Sequence, residues 1–107
     1  MITDIEKALS DGSAPWKEIE FRTTSFWIFR DYNNAPCEGY LCFVPAQKTM
    51  ECLFETYKAA YKWGYEGISL GRWEGFNLLQ SVGDIAGQNG LYPHIHMIPR
   101  REGDLEQ

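Results

Sequence analysis

The stretch Tyr92-Pro93-His94-Ile95-His96-Met97-Ile98-Pro99-Arg100 holds both histidines of the chain. Alternate residues of a β-strand leave the same face, about 6.5–7 Å apart at Cα, so His94 and His96 share a face. Ile95 and Met97 then turn the other way, into a core. Two imidazoles at that spacing can touch one phosphate group, and imidazole is the side chain that acts as neutral nucleophile or charged acid near neutral pH. Taken alone, the H-x-H spacing also fits a surface metal pair or two unrelated surface histidines. No acidic or cysteine ligand stands nearby in sequence to complete a metal site, so no metal is expected.

Working outward, the chain reads as strands, one long helix, then two strands. Thr3 and Glu6 form a capping box ahead of Ile5, Ala8 and Leu9, and Gly12 and Pro15 stop this short N-terminal helix, a lid or packing element. Lys17 to Arg22 alternates, with Ile19 and Phe21 on one face, as in a half-buried strand. The apolar run Phe26 to Phe29 follows, and the turn-rich segment Asp31-Tyr32-Asn33-Asn34-Ala35-Pro36 ends it. Gly39 to Val44 reads as a third strand that Pro45 terminates. Thr49 caps a helix whose apolar stripe is Met50, Leu53, Phe54, Tyr57, Ala60 and Tyr61, packed on the sheet, with the chain loosening after Gly64 and Gly67. Phe76 to Ser81 and Leu91 to Ile98 are the last two strands, joined by the loop 83–90. This order implies an α+β domain with an antiparallel sheet.

At 107 residues the chain is one domain, with no internal repeat, low-complexity run or linker. A formal charge of −5 argues against general nucleic-acid binding, which needs a basic face, so any phosphate must be met locally. Four Trp, six Tyr and six Phe exceed what a small core needs and suggest a stacking pocket or a subunit interface. Cys37, Cys42 and Cys52 are odd in number and lack C-x-x-C spacing, which fits reduced thiols in a cytosol. The N-terminus has no signal-peptide pattern and no stretch approaches a membrane span. A cytoplasmic protein away from membranes is expected.

Taken together, Gly39-Tyr40-Leu41-Cys42-Phe43-Val44-Pro45, the long helix, Phe76-Asn77, Ala86-Gly87-Gln88 and the tail from His94 to Asp104 resemble the histidine-triad (HIT) superfamily of nucleotide hydrolases and transferases. That family's pattern has three alternate histidines, then two apolar residues and often Pro-Arg, with Gly-Gln at a fixed distance before. Counted back from Pro99-Arg100, the third histidine is His96, the second His94, and the first is replaced by Tyr92. The resemblance covers residues 16 to 104, leaving 1–15 as an N-terminal extension. It implies a HIT-like sheet of about five strands with one long helix on one face and the short N-terminal helix beside it.

The resemblance also implies a function and a site. His94 would attack an α-phosphate to form a nucleotidyl-histidine, and His96 would contact phosphate oxygens or the leaving group. In the family the nucleophile's other ring nitrogen donates to a backbone carbonyl two residues earlier, here that of Tyr92. Gly87, Gln88 and Asn89 would line the phosphate, Ser81 stands where the family usually has Asn, Asp31 would bind ribose hydroxyls, and Tyr92 would contact the substrate in place of the first histidine or simply fill a strand face. Asp31 is equally an ordinary turn residue. Lys48 occupies a family histidine position, or is simply a solvated residue before a helix, and Arg100 and Arg101 read as surface residues. Pro93 precedes the nucleophile as it does in the galactose-1-phosphate uridylyltransferase branch. A homodimer binding a nucleotide or nucleotide conjugate, without a cofactor, is the expected assembly. The alternative is a nucleotide-binding module of the same fold with weak or absent catalysis.

Overall fold

The computed structural model describes residues 2–30, 38–86 and 92–103, without the side chain of Asp84. Its elements are α1 (Asp4–Asp11), β1 (Ile19–Arg22), β2 (Phe26–Phe29), β3 (Leu41–Pro45), α2 (Met50–Ser69), β4 (Gly75–Leu79), a single 3₁₀ turn (Asp84–Ala86) and β5 (Ile95–Arg100). The five strands form one antiparallel sheet in the order β1-β2-β3-β5-β4. This is the α+β arrangement that the order of elements implies.

The two faces of the sheet carry separate cores. On one, α2 covers Ile28, Phe43, Ile95 and Met97, with Ala60 and Trp73 closing the cluster. On the other, α1 and Trp16 lie over Trp27, Phe29, Cys42, Val44 and Tyr92. Ile5 and Ala8 of α1 are buried there, and full burial of a side chain such as Ile5 stabilises by about 1.5–3 kcal/mol. The Thr3–Glu6 capping box starts α1, and Gly12 ends it at φ +86°, a left-handed conformation that glycine adopts without cost. The start of α1 is pinned to the β3–α2 loop. Ile5 N–H donates to the Ala46 carbonyl at 3.1 Å, Asp4 N–H to Gln47 Oε1 at 2.9 Å, and Lys48 N–H to Asp4 Oδ2 at 2.7 Å.

Besides shifts of up to two residues at the ends of β1, β3 and β4, three local expectations change. First, β1 is an edge strand whose four residues are all exposed, rather than half-buried. A bulge at Glu20 lets Ile19 pair with Phe29 and Phe21 with Ile28, so the two apolar residues leave opposite faces. Phe21 turns to the α2 side against Trp63, at 5.7 Å between ring centroids.

Second, α2 runs through Gly64 and Gly67 instead of loosening there. Both glycines make room for packing: a Cβ on Gly64 would stand 2.6 Å from the Phe76 ring, and one on Gly67 1.9 Å from Trp73. Trp73 Nε1 donates to the Gly64 carbonyl at 2.9 Å, which seats the indole on the bare helix face. The buried line is therefore Thr56, Ala60, Gly64 and Gly67, flanked by half-buried Leu53 and Tyr57. Met50, Phe54 and Tyr61 of the expected stripe stay exposed, because the small residues admit the sheet more closely than the aromatics would.

Third, β5 starts at Ile95 rather than Leu91, of which Leu91 itself is outside the described residues. Pro93 has no N–H to donate to a ladder. Among the described residues no helix is long and apolar enough to cross a membrane.

Candidate active site

The N-terminal half of β5, the adjoining part of β3 and Trp16 build one site on the sheet face opposite α2. Cys42 pairs with His96, so the strand alternation that aims Cys42 and Val44 at this face also carries Tyr40 to it. His94, just before β5, falls on the same face as His96. Their rings meet edge-on, with centroids 4.8 Å apart at 89°. Ile95 and Met97 are fully buried on the α2 side.

His94 is 9 % exposed, and its Nδ1 lies 2.9 Å from the Tyr92 carbonyl. A carbonyl can only accept, so Nδ1 carries the hydrogen and a neutral ring keeps its lone pair on Nε2. Trp16 meets the His94 ring edge-on at 5.1 Å and stacks on Phe29 at 5.4 Å, which adds an aromatic wall to the site. His96 is half-buried, and burial holds its pKa below the ordinary value of 6.5, which favours the neutral ring. The Tyr40 hydroxyl is hydrogen-bonded to His96 Nδ1, with the rings 5.5 Å apart.

The other residues singled out in the sequence fall in different places. Tyr92 gives the site its carbonyl, while its side chain is fully buried. Its hydroxyl donates to the carbonyls of Pro45 at 2.7 Å and Ala46 at 3.2 Å, and burial raises the phenol pKa far above its usual value. In this structure the side chain presents no surface to a ligand. Ser81 is half-buried two residues beyond β4, on a ladder whose last pair is Leu79 with His96. Asp31, Gly87, Gln88 and Asn89 lie outside the described residues. Lys48 places Nζ 5.3 Å from the Tyr92 ring centroid. Arg100 Nε donates to Asn77 Oδ1 at 2.8 Å, and Arg101 to the Glu38 carbonyl at 3.1 Å, so both brace the strand ends.

Two site residues escape the sequence reading, Trp16 and Tyr40. Tyr40 was within reach of the strand period combined with the pairing of Cys42 to His96. Trp16 follows the irregular segment from Gly12 to Pro15, where no periodicity assigns a face. Among the described residues no group of three or more His, Cys, Asp or Glu side chains could hold a metal ion.

No family profile matches the sequence, and no curated protein matches it. Solved structures do. A HIT-like protein involved in cell-cycle regulation from Bartonella henselae superposes with a TM-score of 0.73 at 20 % identity, over 94 % of this chain and 81 % of that one. A zinc-bound histidine triad family protein from Mycobacterium smegmatis gives 0.74 at 20 % identity, over 96 % and 78 %. The diadenosine triphosphate hydrolase of Plasmodium falciparum gives 0.70 at 22 % identity, over 84 % and 65 %. Likeness of this extent at such low identity speaks to architecture, and it establishes that this chain has the histidine-triad (HIT) fold.

Proposed function

We propose that the chain is a nucleotide hydrolase or nucleotidyl transferase acting on a nucleoside phosphate derivative through a nucleotidyl-His94 intermediate. The observation that carries this reading is the bond from His94 Nδ1 to the Tyr92 carbonyl at 2.9 Å, which leaves Nε2 as the free base beside His96. Nε2 attacks the α-phosphorus, a P–N bond forms, and the bond from phosphorus to the leaving group breaks with that group taking the electron pair. Water or another acceptor then attacks the same phosphorus, breaks the P–N bond and restores the imidazole. Phosphate contacts from the loop 83–90, with Gly87, Gln88 and Asn89, and ribose contacts from Asp31 belong to this proposal. So does a role for Ser81 beside the phosphate. The hydrolase activity of the Plasmodium neighbour on diadenosine triphosphate supports a substrate of this general class.

One observation favours the alternative, a nucleotide-binding module without turnover: Trp16 packs on His94 and leaves it 9 % exposed. Incubation with labelled adenylyl and guanylyl compounds, followed by intact mass measurement, separates the two. The enzyme reading expects a protein-bound nucleotide that is absent from His94→Ala, with turnover abolished in that variant and its fold kept. Retention of most activity by His94→Ala overturns the mechanism. Saturable binding without adduct or turnover selects the module.

The assembly proposed with this function is a homodimer. Tyr61 and Tyr65 are 55 % and 53 % exposed on α2, and Tyr61 meets Phe76 of the edge strand β4 edge-on at 5.7 Å. Helix and edge thus present one continuous aromatic flank to a second copy. Light scattering at micromolar concentration tests it, and a mass of 12.4 kDa at every concentration rejects the dimer.

A further inference from the structure

We infer that Tyr40 is a positioning residue that sets the tautomer of His96, so that the two histidines of the site hold opposite hydrogen patterns and divide the chemistry between them. The inference rests on the proposed function for its chemical meaning, but its structural content stands on the two Nδ1 partners alone. His94 Nδ1 faces a carbonyl, which only accepts. His96 Nδ1 faces the hydroxyl of Tyr40, which, unlike a carbonyl, has a hydrogen to donate. With the phenol as donor, the two Nδ1 atoms have partners of opposite type, and the two rings carry opposite tautomers. His94 then shows a bare Nε2, and His96 shows an Nε2–H.

The consequence for the proposed reaction is a division into one base and one donor. With its Nδ1 occupied by the phenol, His96 aims Nε2–H at phosphate oxygens and stabilises the charge that builds on them, without itself gaining or losing a proton. Burial of His96, which disfavours the imidazolium, agrees with a neutral donor. Tyr40 is 6 % exposed, and its ring packs at 5.5 Å from that of His96, so the hydroxyl has a fixed origin.

Two histidines in the chain make the test direct. Nitrogen-15 NMR of the histidine-labelled protein, assigned with His94→Gln and His96→Gln, reads which ring nitrogen carries hydrogen. We expect Nδ1–H for His94 and Nε2–H for His96. In Tyr40→Phe the ring packing is kept, and the His96 Nδ1 resonance moves toward that of a nitrogen without a hydrogen bond, while the His94 signals stay in place and certify the fold. On a nucleotide substrate the same variant lowers kcat about five- to tenfold, the scale of one hydrogen bond, with little change in KM. Identical tautomers for the two histidines in the wild-type protein overturn the inference, and so does a His96 Nδ1 resonance unmoved by Tyr40→Phe. The NMR readout needs no substrate, so it decides the tautomers even where the nucleotide assays find no activity.

Discussion

A Tyr92→His substitution restores an imidazole at the position where the histidine-triad pattern has its first histidine, and the structure indicates that stability, rather than rate, bears the cost. Tyr92 is fully buried, with its hydroxyl on the Pro45 and Ala46 carbonyls at 2.7 and 3.2 Å. The shorter imidazole leaves those carbonyls without their donor and vacates ring volume between α1 and the sheet. One lost buried hydrogen bond is worth about 1–1.5 kcal/mol, and the residual cavity adds a similar amount, for a total of about 2–3 kcal/mol. Tyr92→Phe isolates the first contribution at about 1–2 kcal/mol, because the ring remains. The group that orients His94 is the Tyr92 backbone carbonyl, which survives either change, so kcat/KM should move by less than about tenfold, or about 1.4 kcal/mol. Urea denaturation gives the stabilities, and kcat/KM on the best nucleotide substrate gives the rate. A Tyr92→His protein as stable as wild type, or one more than about tenfold faster, refutes the reasoning and makes the phenol a true handicap at the site.

Gly67→Ala should destabilise despite a helix-propensity gain of about 1 kcal/mol, because its Cβ would stand 1.9 Å from Trp73 Cζ2. Overpacking of this kind costs about 1–3 kcal/mol or more, so a calorimetric midpoint at or above that of wild type rejects the tight seat. The lowered pKa of His96 makes a pH prediction: the unfolded chain takes up the proton first as pH falls, so stability is full above 6.5 and declines toward the folded pKa. Denaturation midpoints at about pH 7.5 and 5.5 should differ less in His96→Gln than in wild type, and equal differences remove the link.

Much of the architecture was legible because strong local signals carried it. The capping box at Thr3 and Glu6, the Thr49 cap and the run Phe26 to Phe29 all occur as read. The alternation of His94 and His96 against Ile95 and Met97 also holds, since a period of two is enforced by the pleat. What failed depended on partners distant in sequence. Whether Gly64 and Gly67 end a helix or seat an indole is decided by Trp73 and Phe76, and the split of Ile19 from Phe21 is decided by a bulge in pairing with β2. At the site, the carbonyl of Tyr92 was expected opposite His94, whereas Trp16 reaches the histidines only through the path of the chain after α1.

The clamp between Asp4 and Lys48 joins positions 44 apart, and the pair Tyr40 and His96 joins positions 56 apart. Trp16 and His94 span more of the chain still. Each such contact must overcome the entropy of closing a long loop before it gains anything in return. Among the described residues, the contacts that Tyr40 and Trp16 make with the histidine pair are of this kind, whereas the bond from His94 to Tyr92 and the meeting of the two imidazoles are local. A growing chain on the ribosome therefore has no version of the site until β5 has emerged and inserted between β3 and β4. The edge-on contact of Trp16 with His94, followed by indole fluorescence during refolding, would act as a late clock, rising with completion of the sheet and lagging behind the helical signal of α2.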